Sequence, residues 1–191
     1  GVVRGCASQN VFQAGDHLGI ETCRLMGGAM EEHVGQFDNE EEWGNHERRV
    51  FRLFAQAGFR PKTVYDIGAA NGSWSELLYA IYPEAAYHLF EPLAEYKQSY
   101  KEYLRANMAK YPGLSLHPYA LGEDTRSVEM RLRADGYGSS TLPIEHPDFA
   151  ERLTVQQYNL DQYVTDKNLP LPDVLKMDVQ GGEGAILRGA S

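Results

Sequence analysis

Two cysteines in 191 residues, Cys6 and Cys23, are too few and too far apart for a disulfide scaffold or a C-x-x-C zinc site. They are expected as free thiols in a reducing cytoplasm. No apolar run approaches the ~20 residues that a membrane-crossing helix needs. Residues 1–28 lack the charged-then-apolar layout of a signal peptide, and the first residue is Gly1 rather than Met, so residues upstream are expected. Cations are in the minority: 18 Lys and Arg against 27 Asp and Glu leave a net charge of −9. That balance speaks to solubility rather than fold, and it argues against a large nucleic-acid footprint, which needs clustered Lys and Arg. Neither nucleic acid nor membrane is an expected partner. Repeats and low-complexity tracts are also missing.

What is present is an ordinary globular composition, 42% hydrophobic and 24% charged, at a length that suggests one domain. Residues 1–45 read as an N-terminal extension or a lid, with the charge run Asp38–Glu42 as a solvated linker, and residues 46–191 as the domain proper. From His46, Val50, Leu53, Phe54 and Ala57 recur at helical spacing, and Gly58 reads as the stop. A strand over 63–66, a helix opened by a Ser73/Glu76 capping box, and a strand over 86–92 follow. Next come a helix over 94–109 with Tyr96, Tyr100, Tyr103, Leu104 and Met108 inward, and a strand over 114–121. Alternating strands and helices predict a parallel sheet with right-handed crossovers. Val128, Met130 and Leu132 alternate with charged residues, the period expected of a half-exposed, antiparallel strand. A strand over 153–158, a short helix over 160–165, a buried strand over 174–179 and a helix over 183–188 complete the pattern.

Ligands of open α/β sheets bind at the carboxyl ends of the strands, where three acids fall: Asp66, Glu91 and Asp178. The turn Asp66-Ile67-Gly68-Ala69-Ala70-Asn71-Gly72 lets a ligand approach the backbone closely. It is not the dinucleotide fingerprint G-x-G-x-x-G, because Ala70 and Ser73 stand where the second and third glycines would be. No pyrophosphate cradle results, and Asp66 would repel one; a cationic ligand fits better. Glu91 lies 19 residues past Gly72, about the spacing at which an acid accepts hydrogen bonds from ribose hydroxyls. A nucleoside with a diol, an amino-acid tail and a sulfonium satisfies all of this: S-adenosyl-L-methionine (SAM).

The turn, of the form D-x-G-x-x-x-G, resembles the first motif of class I SAM-dependent methyltransferases, and the chain resembles most closely the FkbM-type family. Phe90-Glu91-Pro92, Ala120-Leu121-Gly122, and the run from Leu175 through Lys176-Met177-Asp178-Val179-Gln180-Gly181-Gly182-Glu183 to Ala190 carry the resemblance, with Gly138-Ser139-Ser140 and Asn159-Leu160-Asp161 as weaker landmarks. It implies that Asp66, Gly68, Asn71 and Gly72, with Ala70 in the same turn, line the methionine and ribose end of SAM. Glu91 would take the ribose hydroxyls, Pro92 would lie beside the adenine, and Ala120 and Leu121 would flank it. Asp178 would sit near the methyl group and the acceptor.

The family's association with sugars and secondary metabolites implies O-methylation of a small hydroxylated molecule. Asp178 is the expected base, with Glu183 and then His146 as alternatives, and no metal is expected. The simpler readings are that Asp66 caps a helix, that Asp178 pairs with Lys176, and that Glu183 is a first-turn helix acid. A SAM-binding module without catalysis and a nicotinamide-dependent oxidoreductase remain as other functional classes, and the residues leave monomer and homo-oligomer equally open. The implied fold is an α/β Rossmann-like sheet with helices on both faces. Such a sheet has seven strands, whereas this chain ends at Ser191 after the helix that follows the fourth parallel strand. A sheet truncated before its C-terminal strands is therefore expected, with residues 128–158 as a candidate cover for the edge.

Overall fold

A computed structural model describes residues 40–133, 138–143 and 147–190. The two cysteines, His146 and nearly all of the N-terminal extension lie outside the described residues. Among the described residues, no helix is long and apolar enough to cross a membrane.

The elements run α1 (Glu40–Gln56), β1 (Thr63–Ile67), α2 (Ser73–Tyr79), β2 (Ala86–Phe90), α3 (Gln98–Lys110), β3 (Leu114–His117), β4 (Ala120–Gly122), β5 (Arg126–Arg133), β6 (Phe149–Asn159), α4 (Leu160–Asp166), β7 (Val174–Met177) and α5 (Glu183–Arg188). Four strands make a parallel sheet in the order β3-β2-β1-β7. Alternation along these strands sorts the core into two layers. Val64, Tyr87 and Leu89 join Leu78 of α2 and Leu104 of α3 on one side. Tyr65, Ile67 and Phe90 meet Leu160 and Tyr163 of α4 and Ile186 of α5 on the other. The expected α/β sheet with helices on both faces is present.

Several expectations are corrected. α1 begins at Glu40, so Glu40–Glu42 are helical rather than a linker. Its packed face is also rotated: Leu53 and Phe54 are 48% and 45% exposed, while Phe51 and Ala55 face the core. Phe51 makes edge-to-face contacts with Trp74 and Tyr82, which capture that face. Gly58 does end the helix, at φ +91°, with Phe59 N–H bonding Phe54 C=O and Gly58 N–H bonding Ala55 C=O. The capping box of α2 does not form. Gly72 precedes the helix with no side-chain cap, Asn71 Oδ1 accepts from Ser73 N–H at 3.1 Å, and Glu76 turns to Lys110 and Tyr111. In α3 only Tyr100 and Leu104 of the predicted stripe are buried; Tyr96, which precedes the helix, bonds Glu151, and Tyr103 and Met108 face solvent.

The predicted strand over 114–121 is two strands in two sheets. Pro118 interrupts it; having no N–H, it cannot continue a ladder, and Tyr119 N–H folds back onto His117 C=O. The chain then enters a second sheet, β4-β6-β5, in which β5 and β6 are antiparallel as the alternation predicted. This sheet does not cover β7. Among the described residues β7 pairs only with β1 and is partly exposed rather than buried.

Beneath the parallel sheet, His88 Nδ1 lies 3.0 Å from His117 Nε2, and His117 Nδ1 lies 3.0 Å from the Tyr163 hydroxyl. Burial, with some repulsion from His88 and Lys167, pulls the His117 pKa down to about 4, and burial lowers that of His88. Below the ordinary value near 6.5 the unfolded chain binds a proton that folded His117 refuses, so stability falls as pH drops from about 6.5 toward 4 and is full above that window. The full shift is worth at most about 3 kcal/mol. Urea titrations across this range are expected to show that loss in the native chain and a flatter pH dependence in His117→Gln.

Candidate active site

The strand tips of the parallel sheet converge on an open cleft. Its walls come from the glycine turn, the tip of β2, the start of β4, residues 138–141, and the loop after β7.

The turn owes its shape to two contacts. Gly68 has φ +73°, and a Cβ there would stand 2.0 Å from the carbonyl oxygen of Asp178, so nothing larger than glycine fits between β1 and the β7 loop. Ala70 also adopts a positive φ, +49°, which costs a non-glycine residue of order 1–3 kcal/mol. Glu91 holds it there: Oε2 accepts from Ala70 N–H at 2.8 Å, and Oε1 accepts from Leu93 N–H at 2.8 Å. The Glu91 carboxylate is thus buried at the wall of the cleft and held by two main-chain amides. Burial pushes its pKa up, opposed by the two amides and by Lys176.

Asp66 is placed differently from the expectation. Fully buried, it faces away from the cleft, with Oδ2 accepting from Ser75 Oγ at 2.7 Å and Oδ1 paired with Lys176 Nζ at 2.9 Å. It neither caps α2 through a backbone N–H nor lines the cleft. Lys176 also donates to Gly68 C=O at 2.8 Å. Burial alone would lower the Lys176 pKa, but Asp66 and the neighbouring carboxylates outweigh it and hold it above the usual value. Lys176 therefore pairs with Asp66 rather than with Asp178.

Of the residues named from the sequence, Gly68, Ala70, Glu91, Pro92, Ala120, Leu121 and Asp178 line the cleft; Asn71 and Gly72 are not part of the lining. Glu183 is also withdrawn from it. Its buried carboxylate clips the β7 loop, with Oε1 accepting from Val179 N–H at 3.0 Å and Gly181 N–H at 3.4 Å. That is the role of a helix-start acid rather than of a base open to ligand. Asp178 is exposed, with Oδ1 accepting from Gln180 Nε2 at 2.9 Å.

The sequence reading missed Tyr100, Tyr119, Met130, Thr141 and Gln180 as cleft residues. Met130 sits in the inward phase of β5 and Tyr119 directly after the Pro118 break, so both carried a signal. Thr141 and Gln180 carried none. Glu47 of α1 was also missed. Its carboxylate accepts from Trp74 Nε1 at 3.3 Å, and burial, with the charges of Asp66 and Asp178 adding to it, raises its pKa.

The Asp66–Lys176 pair gives the first test of this arrangement. Replacing one partner of a buried pair leaves the other charge uncompensated, at a cost of about 3–5 kcal/mol. Lys176→Met is expected to lower unfolding free energy by that order in urea titration, while Asp178→Asn, at an exposed position, changes it by less than about 1 kcal/mol.

A family model described as the methyltransferase FkbM domain matches residues 66–191. Among solved structures, the chain is similar to the methyltransferase FkbM from Methylobacillus flagellatus KT, with 19% identity and a TM-score of 0.45, over 69% of this chain and 29% of that one. It is also similar to the precorrin-6y C5,15-methyltransferase from Geobacter metallireducens GS-15, with 16% identity and a TM-score of 0.40, over 75% of this chain and 54% of that one. The chain thus spans less than two thirds of the length of either structure. Comparison with curated proteins gives no match.

Proposed function

The chain belongs to the FkbM methyltransferase family, and from that premise we propose that it transfers a methyl group from SAM to a hydroxyl oxygen of a small molecule such as a sugar or secondary metabolite. The observation that carries the reading is Glu91, a buried carboxylate fixed at the wall of the cleft beside the glycine turn.

The residues present fit SAM. Glu91 would hold the ribose hydroxyls, and Phe90, Pro92, Ala120 and Leu121 offer an apolar slot for the base. Gly68 and Ala70 would receive the amino-acid end along exposed backbone. Asp66, Glu91, Glu47 and Asp178 surround the single ammonium of Lys176, an acid excess that favours a ligand carrying positive charge. When bound, SAM supplies a methyl carbon on a sulfonium, already a good leaving group.

The chain's own contribution is then alignment, exclusion of water and removal of one proton. Asp178 would accept the acceptor's hydroxyl proton as the oxygen lone pair forms the new carbon–oxygen bond and the carbon–sulfur bonding pair is left on the departing thioether, and would release that proton to solvent afterwards. The polar residues Ser139, Thr141 and Gln180 also line the cleft and would offer hydrogen bonds to a hydroxylated acceptor.

Calorimetric titration is expected to show SAM binding in the micromolar range and none for NAD; the reverse result would sink the reading. Asp178→Asn is expected to keep SAM affinity and lower turnover of hydroxylated acceptors by roughly 10²–10⁴-fold. EDTA is expected to leave turnover unchanged, and loss that magnesium restores would replace the carboxylate base with a metal.

A further inference from the structure

The loop after β7 contains an unusual residue. Gln180 has φ +57°, a left-handed conformation that glycine adopts freely and glutamine does not. Two hydrogen bonds hold it there. Its Nε2 donates to Asp178 Oδ1 at 2.9 Å. Its carbonyl accepts from Ser140 Oγ at 3.1 Å. Beside it, Gly181 has φ +96°, and a Cβ on it would stand 2.7 Å from Leu142 Cδ1, so residues 140–142 lie directly against the loop.

Ser140 does not belong to the loop or to the parallel sheet. It is almost fully buried and tied to β5 by a two-bond bridge: Arg131 N–H to Ser140 C=O at 2.8 Å, and Ser140 N–H to Arg131 C=O at 3.0 Å. The hydroxyl therefore transmits the position of the second sheet to Gln180. Glu183 holds the loop from the other side through Val179 and Gly181.

We propose that Gln180 is a positioning residue that orients the Asp178 carboxylate toward the acceptor, and that Ser140 holds Gln180 in its strained conformation. This rests on the reading of Asp178 as the base. The strain is the argument for function: glycine at this position would relieve it, and what glutamine adds is the amide that reaches Asp178. With Oδ1 engaged by that amide, Oδ2 has no hydrogen-bond partner among the described residues and is the oxygen left for the acceptor's proton.

The test combines steady-state kinetics, thermal melting and SAM calorimetry in Gln180→Gly, Gln180→Asn and Ser140→Ala. Gln180→Gly is expected to melt no lower than the native chain and to bind SAM within twofold, yet to lose roughly tenfold to a hundredfold in kcat with little change in the acceptor's KM, the scale of a misplaced catalytic group. Gln180→Asn, which keeps an amide and tolerates positive φ, recovers part of that loss, and Ser140→Ala lowers kcat in the same direction by less. An unchanged kcat in Gln180→Gly, or a loss that Gln180→Asn does not partly restore, overturns the proposal. Undiminished turnover in Asp178→Asn instead removes the base reading on which the proposal stands, so the two failures are distinguishable.

Discussion

A carboxylate with no access to water, at the tip of a central strand, must find a counter-charge or give up its own. Asp66 finds it in Lys176, its direct register partner across the β1–β7 pairing. That one ammonium also binds Gly68 C=O, and the other carboxylate oxygen binds Ser75 at the first turn of α2. Strand, turn, helix and neighbouring strand are thus tied at one point. A buried pair of this kind contributes little net stability, since desolvation offsets attraction, but it penalises every other register, because a slip of β7 would strand two charges in the core. The position of Asp178, two residues past Lys176, follows from it.

The cleft is consequently a composite of two sheets. The parallel sheet supplies the turn, Glu91 and Asp178. The second sheet supplies Met130 and, through the bridge between Arg131 and Ser140, the neighbouring Ser139 and Thr141 that also line the cleft. Pro118 is the point at which the chain leaves one sheet for the other, and Ala120 and Leu121 border the cleft because they follow that departure directly.

Much of this was legible in the residues. The glycine turn between a β-branched run and an amphipathic helix, and an acid at the next strand tip, are local patterns that local physics decides. What failed were features decided by distant partners. The face of α1 was misjudged because Trp74 and Tyr82 select Phe51, which nothing within the helix announces. Ser73 and Glu76 have the spacing of a capping box, but Lys110 and Tyr111 compete for the glutamate from another helix. Asp66 and Glu183, both acids near strand tips, differ from Glu91 only in where their side chains point, and the alternation of a strand end or the first turn of a helix does not reveal which carboxylate meets a lysine, an amide or open space.

In the proposed function the fixed carboxylate of Glu91 would also act as a filter by sign of charge. Both its oxygens are anchored by main-chain amides, so the side chain has no rotamer in which to withdraw. Neutral hydroxyls can donate to it without disturbing those anchors. A phosphate carried at the same position would bring its negative charge against the buried carboxylate. Under the proposed function, nucleosides with a free diol would therefore be sorted from phosphorylated ones at this carboxylate, without any side chain dedicated to rejection.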